Sequence, residues 1–165
     1  FVFCLAGATQ FLPSLRRHRP AAHRMIGRVM VIAGFLSAST GLWMTVYFTF
    51  PEEIQGSLLF SVRLIVGFAM VGLLAWAIIA VRARSFKSHG ASMLRAYAIG
   101  QGASTQALLG IAWIVTFGVE PTGFLRDCFM ALCWVLNLLV AEALIHVFIA
   151  KPLPSIQTPN KASVL

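Results

Sequence analysis

The sequence predicts an all-α integral membrane protein: a helical bundle with four complete spans, a truncated first helix and a cytoplasmic C-terminus. Three observations lead there. Of the 165 residues, 59% are hydrophobic and 11% are charged, against roughly 25% charged residues in a soluble domain. Too little polar surface remains to coat a water-soluble globule, and the mean hydropathy of +0.84 agrees. Uncharged runs reach the roughly 20 helical residues that a hydrocarbon core of about 30 Å requires. Between those runs the loops alternate strictly in charge, basic then acidic, as the positive-inside rule arranges them.

Residues 1–12 are apolar but too short to cross, and read as the cytoplasmic end of a first span. The chain opens Phe1-Val2-Phe3-Cys4, without Met or a basic leader region. It therefore reads as a fragment or processed chain and not as an intact signal peptide. Pro13 and Pro20 bracket a basic loop holding Arg16, Arg17, His18, Arg19, His23 and Arg24. His18, within that arginine run, reads as a solvated loop residue.

Residues 29–50 are uncharged throughout and end at Pro51-Glu52-Glu53. Residues 57–81 form the next span, interrupted only by Arg63, which lies near enough to the outer end to snorkel. A second basic loop follows with Arg82, Arg84, Lys87, His89 and Arg95. Residues 96–119 are again uncharged, closed by Glu120-Pro121 and Asp127. The last span, 128–150, stops at Lys151-Pro152, so 1–150 is one membrane bundle and 151–165 a disordered cytoplasmic tail. Trp43, Tyr47 and Trp113 fall towards the outer ends, as an interfacial aromatic belt does.

The net charge of +8 follows from these loops and does not signal nucleic-acid binding. Cys4, Cys128 and Cys133 are dispersed, with no CxxC spacing, and make neither a disulfide framework nor a zinc site. No Walker, GxSxG or dinucleotide fingerprint occurs. The expected partner is the lipid bilayer.

Small residues mark the faces that pack, because a Leu–Leu contact gains little over a Leu–lipid contact. Gly27, Gly34 and Gly41 recur every seven residues, a stripe suited to packing within the bundle or against a second copy or membrane partner. The next-to-last span carries a similar line through His89, Met93, Tyr97, Gly100, Ser104 and Ala107. Gln101, Gln106 and Asn137 bring side-chain amides that need partners in a dry interior. Glu142 and His146 stand one turn apart on the last helix.

His23, His89 and His146 all fall near the cytoplasmic ends of their helices. Two imidazoles on different helices could hold a haem b iron, with Arg28 or Arg95 pairing its propionates. A structural, hydrogen-bonding role for the same histidines stands beside that reading. Glu142 is the costliest residue, since a carboxylate inside a span costs on the order of 2.5–3.5 kcal/mol on insertion scales. It needs a partner, which His146, Gln101 or an arginine of the basic loops could supply, and a network with His146 and Gln101 is expected ahead of a pair with Arg63.

Gln10-Phe11 before a basic loop, His23-Arg24 with Gly27-Arg28, His89 with Met93-Leu94-Arg95-Ala96-Tyr97-Ala98, the stretch from Gly102 to Gln106, and Asn137-Leu138 with Ala141-Glu142 form an ordered set along nearly the whole chain. In that set the sequence resembles a bacterial membrane-protein family known as domain of unknown function 2306. It departs at Ala91-Ser92, where the family carries a bulky aromatic residue before the methionine, and in its short first helix. The resemblance implies a small multi-span bundle of the bacterial inner membrane, with no established activity and no catalytic residue to transfer.

The functional expectation is a polar cavity on the cytoplasmic side lined by His23, Arg28, His89, Arg95, Gln101, Glu142 and His146. Haem, a quinone-like molecule or a small anion are ligands it could take. A proton-coupled transporter using Glu142, which needs discontinuous helices or a path through the bundle, and a non-catalytic accessory subunit are the alternatives.

Overall fold

Pro20 begins the longest helix. Proline suits a first helical position, where its missing N–H has no intrahelical partner and its fixed φ is already helical. The computed structural model describes residues 2–11 and 13–150, and the expected disordered tail lies outside them. The elements are α1 (Val2–Gln10), α2 (Pro13–His18), α3 (Pro20–Tyr47), α4 (Ser57–Arg82), α5 (Phe86–Gly100), α6 (Gly102–Phe117) and α7 (Gly123–Ile145), closed by a π-helical turn, His146–Ala150. Among the described residues there is no strand. Four helical stretches are long and apolar enough to cross a membrane: α3, α4, α5 with α6, and α7 with its π-turn. This is a helical membrane bundle.

Two helices start earlier than their apolar runs. α3 begins at residue 20 and not 29, and α5 at 86 and not 96. Hydropathy registers where an uncharged run begins, whereas backbone hydrogen bonding continues the helix through the charged residues before it. The segment between Pro13 and Pro20 is itself largely helical.

α4 packs between α3 and α5, α7 packs on α5, and α1 lies against both α3 and α5. The core runs through Phe3, Met30, Met70, Leu74, Ala96 and Ile99, with a second cluster of Leu94, Ala98, Ala141 and Ile145 between α5 and α7. The glycine stripe on α3 is used within the chain at its centre. A Cβ on Gly34 would come 2.9 Å from both Phe3 and Leu74. Gly27 faces the Gln10 side chain, and Gly41 meets nothing within 4 Å. Gly34 therefore seats α1 and α4, and only the Gly41 end of the stripe stays open.

The span expected to be one uninterrupted helix is broken at Gln101. Glycines flank the break, and each lets an aromatic ring approach the backbone: Phe3 against Gly100 and Trp134 against Gly102. The indole of Trp134 donates to the Ile99 carbonyl at 3.2 Å, one of those that a helix end leaves to find other partners. Beyond the break α6 has a single buried residue, Gly102. Its apolar side chains, such as Val115 at 80% exposure, have hydrocarbon as their solvent.

At the acidic end the loops are tied together. Asp127, only 2% exposed, accepts from the backbone N–H groups of Gly56 and Leu59, both at 3.1 Å. It thus caps α4 from another helix, where the N-terminal residue Gly56 has no side chain to do so. The Gly123 N–H donates to the Glu53 carbonyl at 3.0 Å, and Arg126 Nε to the Ile54 carbonyl at 3.2 Å. Arg63 donates to Gln55 and lies 5.8 Å over the Phe50 ring, reaching towards this end. Trp43 packs on Tyr47 and Phe48 at the same level.

Candidate functional site

The strongest polar contact between spans joins α5 to α7 near the basic end. Arg95 faces Glu142 with two donors: Nε meets Oε1, and Nη2 meets Oε2 at 2.8 Å. This fork-on-carboxylate arrangement fixes orientation as well as distance. Helix register produces it. Leu94 and Ala98 on α5 pack on Ala141 and Ile145 on α7, which carries the neighbouring Arg95 and Glu142 to the edge of that apolar contact. The pair is not sealed: 35% of the arginine side chain and 39% of the glutamate remain exposed.

The partner of Glu142 therefore differs from the network expected with His146 and Gln101. Arg95 was assigned to the basic loop, but α5 begins ten residues early and carries it into the span beside the carboxylate. His146 is exposed and opens the π-helical turn directly after Glu142's own turn of helix. Gln101 turns the other way. Its amide donates to the Tyr97 hydroxyl, which donates to the Cys4 carbonyl at 2.9 Å and so ties α1 to α5.

His89 sits half-buried in the first turn of α5, with Nδ1 2.9 Å from the Ala77 carbonyl on α4. A protonated Nδ1 donating there leaves Nε2 with the free lone pair. His23 is half-buried in the first turn of α3, and Arg28 is exposed further along that helix. α1 lies against both helices that bear His23 and His89, with Gln10 beside Gly27; just beyond it, Phe11 meets Tyr97 at a tilt, 5.3 Å between centroids. Among the described residues, no three of His, Cys, Asp and Glu are placed to hold a metal ion.

The other intramembrane amides serve α6 and α7. Gln106 donates to the Met130 carbonyl at 3.1 Å, and Asn137 accepts from Thr105 at 3.0 Å. The Asn137 amide nitrogen is buried without a partner among the described residues. Two clefts among those residues lie at the acidic end. One, of about 460 Å³, is bordered by Glu52, Glu53 and Phe124; the other, of about 260 Å³, lies between α6 and α7. The cavity expected at the basic end is not one of them. Arg95 and Glu142 meet there as a half-open pair on the flank of two helices.

The sequence reading missed Asp127 as anything beyond a topological charge. The available signal was an Asp close to the start of one helix while the N-terminus of another, Gly56-Ser57-Leu58-Leu59, lacked an acidic residue. Residues 1–145 match the profile of a family described as "Predicted membrane protein (DUF2306)". No curated protein and no solved structure matches the chain.

Proposed function

The chain belongs to the DUF2306 family of predicted membrane proteins, and from that premise we propose that it is a binding protein for a small anion, with Arg95 as the ligand-facing cation. Glu142 is the resting counter-ion, which a carboxylate or phosphate displaces. We read the basic end as cytoplasmic and the membrane as a bacterial inner membrane, so the ligand arrives from the cytoplasm.

The observation that carries this reading is the half-open fork between Arg95 and Glu142. An ion pair inside a span is expensive and is by default a functional candidate. For stability alone, well-packed apolar residues commonly serve as well. The π-helical turn after Glu142 adds support, because such turns recur at functional sites.

The test is isothermal titration of the detergent-purified protein with acetate, succinate and phosphate, repeated on Glu142→Gln and Arg95→Gln. Removing the competing carboxylate frees the guanidinium, so Glu142→Gln binds at least one of these anions about tenfold more tightly. Arg95→Gln loses binding. A purely structural clamp gives a different result, in which both variants are destabilised and neither responds to anions.

A second, redox reading rests on His89. Its bond to the Ala77 carbonyl fixes the tautomer in the way a ligating histidine needs. Oxidised and dithionite-reduced absorption spectra of wild type and His89→Ala test it. A Soret band lost in the variant would support it, and a colourless protein from haem-replete cells would end it.

A further inference from the structure

The cleft of about 260 Å³ between α6 and α7 lies at the opposite end from Arg95 and has a chemistry of its own. Its walls are mainly apolar, Ala107, Gly110, Ile111, Ile114, Phe129 and Met130, with one amide, Gln106, that donates to the Met130 carbonyl across the cleft, and Ile111 is 62% exposed on the outer surface of the bundle. Gly110 gives the cleft its depth, since a Cβ there would meet nothing within 4 Å. At the loop end stand the buried Pro121 and two charges, Arg126 and Glu120.

Those two charges are loosely matched. Arg126 spends Nε on the Ile54 carbonyl, while its Nη1 lies 3.6 Å from Glu120, beyond a normal hydrogen bond. Glu120 is 66% exposed on its side chain and Arg126 21%. The cation is thus held in place by the loop, and its acidic neighbour is free to swing into water.

An apolar slot in hydrocarbon with a fixed cation at the water boundary complements an amphiphile with an anionic head. We propose that the cleft binds one anionic phospholipid, an acyl chain lying along the Gly110 side and the phosphate accepting from Arg126 in place of Glu120. A helix of a second copy, some 10–12 Å across, would need several times this volume, whereas a single acyl chain is one carbon wide. The charge supplies the selectivity and the slot supplies the site.

Native mass spectrometry of the full chain, titrated with phosphatidylglycerol or with phosphatidylcholine of the same acyl chains, tests the proposal. Wild type retains one phosphatidylglycerol about tenfold more tightly than phosphatidylcholine. Arg126→Gln removes that preference, and Glu120→Gln, which takes away the competing carboxylate, strengthens it. Gly110→Leu fills the slot and weakens both lipids, while Gly72→Leu, at another glycine with nothing within 4 Å of its Cβ, changes neither. Equal retention of the two lipids by wild type, or full retention by Gly110→Leu, would overturn the proposal. A dimer abolished by Gly110→Leu would overturn it in favour of a second copy.

Discussion

Replacing Asp127 with Ala should destabilise the bundle by about 3 kcal/mol without touching the Arg95–Glu142 site. The carboxylate is 2% exposed and accepts from two backbone donors at the first turn of α4, Gly56 and Leu59. Losing it strands both donors, and a buried donor without a partner costs about 1–3 kcal/mol. The attraction between the carboxylate and the positive end of the α4 dipole goes as well, at about 0.3–1 kcal/mol. Against this, the variant no longer buries a carboxylate and the Gly56 N–H is only part-buried, which together bring the net to the lower part of the summed range, about 3 kcal/mol. Asp127→Asn keeps one acceptor oxygen and turns an N–H₂ towards a donor, so roughly half the loss is expected. Glu52→Ala, at an exposed neighbour in the same loop, should stay within about 0.5 kcal/mol, as surface changes usually do. The assay is denaturant unfolding in bicelles, paired with hydrogen exchange at the Gly56 and Leu59 amides. Slow exchange in wild type should become fast in Asp127→Ala. If stability and protection both survive the substitution, the inter-helix cap is not what holds the start of α4.

Two further outcomes follow from the packing. Arg95→Ala alone leaves Glu142 without its partner and should cost about 1–2 kcal/mol, less than a fully buried pair would because both side chains are partly exposed. The double variant Arg95→Met with Glu142→Leu should recover most of that in an unfolding titration while binding no anion, which separates stability from function. Gly34→Leu should be destabilising by about 1–3 kcal/mol through overpacking against Phe3 and Leu74. Gly41→Leu, in open space on the same helix, should be neutral or slightly stabilising, since leucine is the better helix former. Thermal unfolding of the two leucine variants side by side checks this pair, and equal effects would refute the asymmetric use of the stripe.

The length and order of the spans were legible because hydropathy and charge alternation are one-dimensional properties. The break at Gln101 was not. Its neighbouring glycines look like ordinary small packing residues, and only the rings of Phe3 and Trp134, from opposite ends of the chain, give them a purpose. That an arginine of the basic loops could meet Glu142 was legible, but not that Arg95 would do so ahead of His146 and Gln101. Arg95 belongs to a basic loop by charge count, and its place in the span depends on how far α5 extends towards the basic end.

By itself, then, the sequence determined that hydrocarbon is the solvent, where the chain crosses it, and that Glu142 must find a partner. Each follows from transfer free energies that act residue by residue. Tertiary structure alone decided that Arg95 is that partner, that Asp127 caps a helix other than its own, and that Gly34 packs inside the chain while Gly41 stays open. Those outcomes depend on which helix faces align, and alignment is set by contacts between residues far apart in the chain. No local pattern encodes them.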